Sequence, residues 1–369
     1  MSFYEVLQCY RDFDFDGFFA AVTEADVMRV LAKERRGERD LLVLLSPRAA
    51  DFLEPMARAA QQLTVQYFGR TIQLFIPLYI ANHCANQCLY CGFNRSHAIG
   101  RRKLSLEEIA AEGRAIAATG MRHLLVLTGE APEVTPMDYI EAALALLKQY
   151  FASVAIEMFP MATEAYRRLK AVGVDGLTLY QEVYDEAVYR RVHQAGPKTD
   201  YRFRLDAPER GARAGFRAVN IGPLLGLGKK RREVFFAGLH ARYLDDRYLA
   251  TEVGLSLPRI NPAEGGFQPL HPVSDREFVQ FLLALRLFLP RAGITVSTRE
   301  RAAFRDRLVP LGVTRLSAGS CTGVGGYAAP ERRETPQFEI ADQRAVALVA
   351  QAIAAQGYQP VCKDWDSIG

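Results

Sequence analysis

Between residues 73 and 319 the chain alternates short apolar runs with amphipathic stretches, and this alternation most constrains what it can fold into. The apolar runs fall at 73–80 (QLFIPLYI), 123–130 (HLLVLTGE), 154–160 (VAIEMFP), 176–182 (GLTLYQE), 217–225 (RAVNIGPLL), 252–260 (EVGLSLPRI), 293–299 (GITVSTR) and 314–319 (TRLSAG). Most are continuous rather than alternating, as parallel strands buried on both faces must be. Helical patterns fill the gaps at 105–119, 137–151, 162–172, 185–193, 201–214, 231–248, 274–289 and 301–311. Two of them open on a capping box, Ser105 with Glu108 and Ser274 with Glu277. Eight such units predict an α/β fold, a (β/α)8 TIM-type barrel with N- and C-terminal helical extensions, whose eighth strand is followed by a helix at 342–356. An open doubly wound sheet is the competing topology.

The flanks set the expected organisation: a helical extension over 1–70, a barrel over 71–320, and a loop and helix packing on it over 321–369. The 49% apolar content of the 369 residues suffices for a large core. A net charge of +4 is too small to predict a nucleic-acid or membrane partner. Of 46 basic residues 38 are Arg, a bias that a GC-rich genome explains. The chain opens on no signal peptide and holds no run of roughly 18–20 apolar residues, so a cytoplasmic protein is expected.

Six cysteines are too few and too unevenly spread for a disulfide framework. Cys9, Cys321 and Cys362 stand alone, but Cys84, Cys88 and Cys91 form C-x3-C-x2-C directly after the first strand. In a barrel that loop lies at the C-terminal mouth, where active sites sit. Three thiolates can hold three irons of a 4Fe–4S cluster and leave the fourth open to an external ligand. A Cys3His zinc site using His83 or His97 is the alternative.

The spacing, with Tyr90 before the last cysteine, resembles the radical S-adenosylmethionine (SAM) superfamily. That resemblance implies a 4Fe–4S cluster on Cys84, Cys88 and Cys91, and SAM cleaved at its open iron to a 5′-deoxyadenosyl radical. Further motifs narrow the likeness: AxxLTxxxFGRTI (Ala60–Ile72), YCGF (Tyr90–Phe93), LTGE (Leu127–Glu130), YQE (Tyr180–Glu182), FRL and RAG (Phe203–Leu205, Arg213–Gly215), LPR (Leu257–Arg259), STRE (Ser297–Glu300), GGY (Gly325–Tyr327) and KDWD (Lys363–Asp366). Together they resemble the 2-iminoacetate synthase family, tyrosine lyases of thiamin synthesis that split the Cα–Cβ bond to 2-iminoacetate and p-cresol.

The resemblance also implies roles. Tyr90, Gly129, Glu130, Glu182 and Arg204 would contact SAM: Glu130 its ammonium, Glu182 its ribose hydroxyls, Arg204 its carboxylate. Arg299, Ser317 and Arg259 would position the substrate, with Glu130, Glu157 and Glu300 as alternative partners of the arginines. A flavodoxin or ferredoxin would supply electrons, and thiazole synthase would receive the iminoacetate. A related tryptophan lyase remains open. So does a hydrogenase-maturase-like tyrosine lyase, although no cysteine pair follows Cys362 for a second cluster. Outside the family, an Fe–S or zinc scaffold and an aldolase-like barrel are the other possibilities. The aldolase lacks an obvious strand-end lysine.

Overall fold

A computed structural model describes residues 2–331 and 334–363. Nine parallel strands form one sheet: β1 (Thr71–Ala81), β2 (His123–Thr128), β3 (Ser153–Glu157), β4 (Gly176–Thr178), β5 (Ala218–Ile221), β6 (Glu252–Ser256), β7 (Gly293–Val296), β8 (Arg315–Ser317) and β9 (Gln359–Val361). Neighbours follow chain order from β2 to β8, and β1 pairs with both β8 and β2. The sheet therefore closes into a barrel, and the open doubly wound alternative falls. The expected helices surround it, and both capping boxes are made, with Ser105 and Ser274 accepting from the backbone of Glu108 and Glu277.

Several strands stop short of their apolar runs. β4 ends at Thr178 rather than 182, β6 at Ser256 rather than 260, and β5 at Ile221 rather than 225. The apolar pattern continues because these loops turn inward to line the barrel mouth, although the ladder has ended. The helix expected over 201–214 is two, Tyr201–Leu205 and Ala207–Arg213, with Pro208 in the first turn of the second. Proline lacks the N–H that would continue the first helix. The late helix is shorter than expected, Val346–Ala354, because Asp342 and Arg344 are drawn into ion pairs with Arg305 and Asp306.

β9 is an addition to the expected pattern. It pairs with the first residues of β1, Thr71–Gln73, whereas β2 pairs with β1 only from Ile76 upward. The N–H of Arg122, just before β2, reaches the carbonyl of Cys362 at 3.1 Å. β9 thus fills the notch between β1 and β2 at the barrel bottom. A three-residue strand containing proline gives no readable signal.

The N-terminal region is helical: Phe3–Gln8, Phe15–Ala21, Glu24–Leu31, Glu38–Leu45 and Leu53–Phe68. The last two pack on barrel helix Asp275–Phe288, and Glu38–Leu45 also on Lys230–Arg247. Gly238 permits the close approach, since a Cβ there would lie 2.7 Å from Leu41. Gln280 donates to the carbonyls of Leu44 and Ser46 at 2.8 and 2.7 Å. Covered on both sides, these two barrel helices bury almost every apolar side chain they carry. Among the described residues, no helix is long and apolar enough to cross a membrane. Of the closing KDWD motif, residues 364–366 lie outside the described residues.

Candidate active site

The loop after β1 carries Cys84, Cys88 and Cys91 and is fixed by polar side chains. Asn82 bonds the backbone of Gly100 and Arg102 at 2.8 and 2.7 Å. Arg101 donates to the carbonyls of Asn82, Phe93 and Asn94. Asn94 donates to Cys88 O at 3.0 Å. Two glycines allow neighbouring segments to close on the loop. A Cβ on Gly129 would lie 2.2 Å from His83 O, and one on Gly92 2.6 Å from Pro336 O.

Cys88 is buried, and Cys84 and Cys91 are half-buried. Burial pushes the Cys88 thiol up to about 12 despite the nearby Lys198, and it raises Cys91 too. Bound iron would supply the positive charge that converts such thiols to thiolates. Amide donors already face the sulfurs, with Asn86 Nδ2 and Gln337 Nε2 each 3.7 Å from Cys84 Sγ and Cys91 Sγ. Donors of this kind stabilise cluster sulfur. Among the described residues, no three His, Cys, Asp or Glu side chains converge as a single metal ion needs. A cubane makes no such demand, because each thiolate meets its own iron. The donor set thus fits a 4Fe–4S cluster better than a Cys3His zinc; His97 instead bonds Gly92 O at 3.2 Å.

A cleft of about 500 Å³ opens beside the cysteines, lined by Tyr90, Cys91, Glu182, Lys198 and Gln337 among others. Glu182, just beyond β4, has φ +70°, the left-handed region, and is the only such non-glycine among the described residues. Strain of this kind persists only where the surroundings hold it. Here Glu182 Oε1 receives Lys198 Nζ at 2.7 Å and Arg204 Nη2 at 3.2 Å. Burial alone would raise its carboxyl, but the two cations hold it down to about 2. Arg204 also donates from Nε to Tyr180 O at 2.7 Å. Arg204 is therefore buried and paired, and it stands behind Glu182 rather than on the cleft wall.

Tyr90 donates its hydroxyl to His193 Nε2 at 2.7 Å, and His193 Nδ1 bonds Tyr189 O at 2.8 Å. Burial lowers His193 to about 3, so it stays neutral. The Lys198 ammonium lies 5.5 Å from the Tyr90 ring centre. Glu130 takes Asn86 Nδ2 at 2.6 Å and has no ion-pair partner among the described residues.

A second space, about 670 Å³, occupies the barrel mouth above Phe75, Leu125 and Val296. It shares a wall with the cleft, made by Glu157, Tyr180, Pro258, Arg299 and Phe338. The Arg299 guanidinium lies 3.2 Å from the Phe338 ring centre, and its Nη1 is 3.4 Å from Arg259 O. Among the described residues, no carboxylate is within ion-pair reach of Arg299. Burial lowers its pKa, opposed by the fields of Tyr79 and Glu157. Ser317 lines the same chamber; its hydroxyl accepts the N–H of Thr298 at 2.9 Å and keeps its own proton to donate. Arg259 is elsewhere: it grips Glu300 with two bonds, Asp275 at 2.9 Å and Val273 O at 2.9 Å, and does not line the chamber.

The geometry thus brings together the cysteines, Tyr90, Glu182, Arg204, Arg299 and Ser317, and leaves Arg259 in a structural ion pair. Sequence reasoning missed Lys198 and did not place Glu157. A lysine in a chain that otherwise favours arginine was an available signal.

A parallel barrel with a three-cysteine loop after its first strand defines a radical SAM enzyme. The Radical SAM superfamily is matched over residues 78–236, and the Biotin and Thiamin Synthesis associated domain over 256–359. The chain is 41% identical over 362 residues to 2-iminoacetate synthase of Escherichia coli (strain K12), covering 97% of this chain and 96% of that one. It is also 41% identical over 346 residues to 2-iminoacetate synthase of Salmonella typhimurium, at 94% and 92% coverage. This chain belongs to the 2-iminoacetate synthase family. Among solved structures, HydG, a maturase of the [FeFe]-hydrogenase, superposes with TM-score 0.89 at 31% identity, over 96% of this chain and 80% of that chain. HydG from Carboxydothermus hydrogenoformans gives 0.85, also at 31%, over 98% and 83%. The protein is a radical SAM lyase, with a 4Fe–4S cluster and SAM as cofactors.

Proposed function

We propose that the enzyme cleaves the Cα–Cβ bond of L-tyrosine to 2-iminoacetate and p-cresol, the step that supplies thiamin thiazole synthesis. The relatives' activity favours this reading. The observation that carries it is Arg299, a cation with no carboxylate partner among the described residues, at the wall between chamber and cleft. A substrate carboxylate would supply the missing partner, and a planar guanidinium suits its two oxygens. Ser317 would add a hydroxyl donor. The apolar chamber would take the aromatic ring.

On the cleft side, Cys84, Cys88 and Cys91 would hold the cluster. When bound, the cluster and SAM supply a carbon radical able to remove a hydrogen atom. Glu130 would receive the SAM ammonium and Glu182 its ribose hydroxyls. Lys198 lines the cleft and Arg204 stands behind Glu182, so together they provide positive charge for the SAM carboxylate. Gly129 acts through packing, letting the β2 end reach the cysteine loop, and Tyr90 walls the cleft. With its carboxylate on Arg299, the amino acid would turn its amino group, rather than a side-chain carbon, toward the cleft. A low-potential reductant is required; a flavodoxin or ferredoxin would fit, with thiazole synthase consuming the imine. The expected compartment is the cytoplasm.

Anaerobic reconstitution with dithionite and SAM, followed by mass spectrometry, tests the reading. p-Cresol and glyoxylate, the hydrolysis product of iminoacetate, should appear from tyrosine. Methylindole-type products from tryptophan alone would overturn it.

A further inference from the structure

The wall shared by chamber and cleft holds two opposite charges, Arg299 from the loop after β7 and Glu157, the last residue of β3. They are not within ion-pair distance of each other. Among the described residues, the Glu157 carboxyl has neither a hydrogen-bond donor nor an ion-pair partner. A half-buried carboxylate left without donors is costly unless a ligand supplies them. An α-amino acid carries its carboxylate and ammonium on one carbon, so a cation and an anion flanking one gap match it.

We infer that Glu157 receives the α-ammonium of the substrate and takes one proton from it, so that a neutral amine faces the cofactor cleft. This rests on the functional reading above and names the proton acceptor within that site. The step is a proton transfer alone. One N–H bond of the ammonium breaks, its electron pair stays on nitrogen, and an O–H bond forms on Glu157. The proton returns to water when products leave. A neutral amine matters because removing a hydrogen atom from an ammonium would leave a positive nitrogen short of electrons.

The environment of Glu157 suits the role. Burial, aided by the field of Glu182 and opposed by Arg299, Arg204 and Lys198, raises its pKa to about 7. Tyr79 and Tyr180 are the other titratable groups that feel it. A raised pKa brings a carboxylate nearer to that of an amine, which makes it a better proton acceptor.

The test compares tyrosine with 3-(4-hydroxyphenyl)propanoate, the same molecule without its amino group, as ligands of the reconstituted holoenzyme. Calorimetry with E157Q should show tyrosine weakened about ten- to hundredfold, the loss of one charge-assisted contact, and the desamino ligand unchanged. Wild-type affinity for tyrosine should fall as pH drops through about 7, and that limb should vanish in E157Q. E157D should recover part of the affinity. Equal weakening of both ligands would overturn the inference, and so would tyrosine binding and cleavage undisturbed in E157Q. A wild-type enzyme that neither binds nor cleaves tyrosine would overturn the functional reading, and this inference with it.

Discussion

Single residues decide the chemistry here, and two of them make predictions. Arg299→Ala should keep normal iron content and cluster absorbance but lose about ten- to hundredfold in kcat/KM for tyrosine, since a charged hydrogen-bonded contact is removed. Unchanged p-cresol formation would remove Arg299 from substrate binding. Gly129→Ala should have the opposite signature. Its Cβ would sit 2.2 Å from His83 O, so the cysteine loop must move and reconstituted iron should fall below the wild-type content. Full iron loading in that variant would show that the loop yields cheaply. The cysteine constellation was legible in sequence because its chemistry and spacing are local, whereas Glu182 was named only through the resemblance carried by YQE. Arg259 was not separable from Arg299, since both stand as arginine at or next to the end of an apolar run of the sequence. Only the fold shows that Glu300 and Asp275 already occupy one of them. Lys198 and Glu157 were obscured for a different reason: a charge counts as unpaired or strategic only relative to neighbours far away in the chain.

At the scale of elements, the helix Leu106–Ala118 does more than cover the barrel. Its Glu112 accepts the N–H groups of Gly326, Tyr327 and Ala328 at 3.2, 2.7 and 3.1 Å. Gly325 and Gly326 have φ +68° and +95°, which presents successive N–H groups to one carboxylate. Glu112→Ala should therefore cost about 2 kcal/mol by leaving half-buried donors unpaired, read as a lower urea midpoint at unchanged slope. A loss below about 0.5 kcal/mol, the size of an ordinary surface change, would mean that water replaces the carboxylate. The order and kind of elements were readable from apolar periodicity, and capping boxes fixed two helix starts to the residue. Strand ends were not, because an apolar residue lining a cavity and one inside a ladder look alike in sequence. The break at Asp206 was missed although Pro208 announced it, since the apolar spacing runs through both short helices.

For the whole molecule, one contact between the N-terminal helices and the barrel rests on a group that stays uncharged in the fold. The His240 ring, on helix Lys230–Arg247, stacks on Phe3 at 4.0 Å and 6°. Burial lowers its pKa from 6.5 to about 3. A base depressed in the fold binds its proton mainly when unfolded. Its contribution is complete above pH 6.5 and is lost as pH falls toward 3, by up to about 1.4 kcal/mol per pH unit. Thermal midpoints should fall between pH 7 and 5, and His240→Phe should flatten that slope; an identical slope would place the acid sensitivity in other groups. β9 belongs to this scale too, because its pairing with β1 joins parts of the chain that no local pattern connects. The cysteine loop shares that dependence on distant sequence. Gly92 N–H bonds Gln337 O at 2.9 Å, Gln337 reaches Cys91 Sγ, and Asn86 receives the N–H of Lys198 at 2.8 Å. A ribosome delivers these segments in order, with Gln337 following Cys91 by 246 residues. The cysteines therefore lack their final shelter until that later segment has been made, and the completed loop is a product of the whole fold.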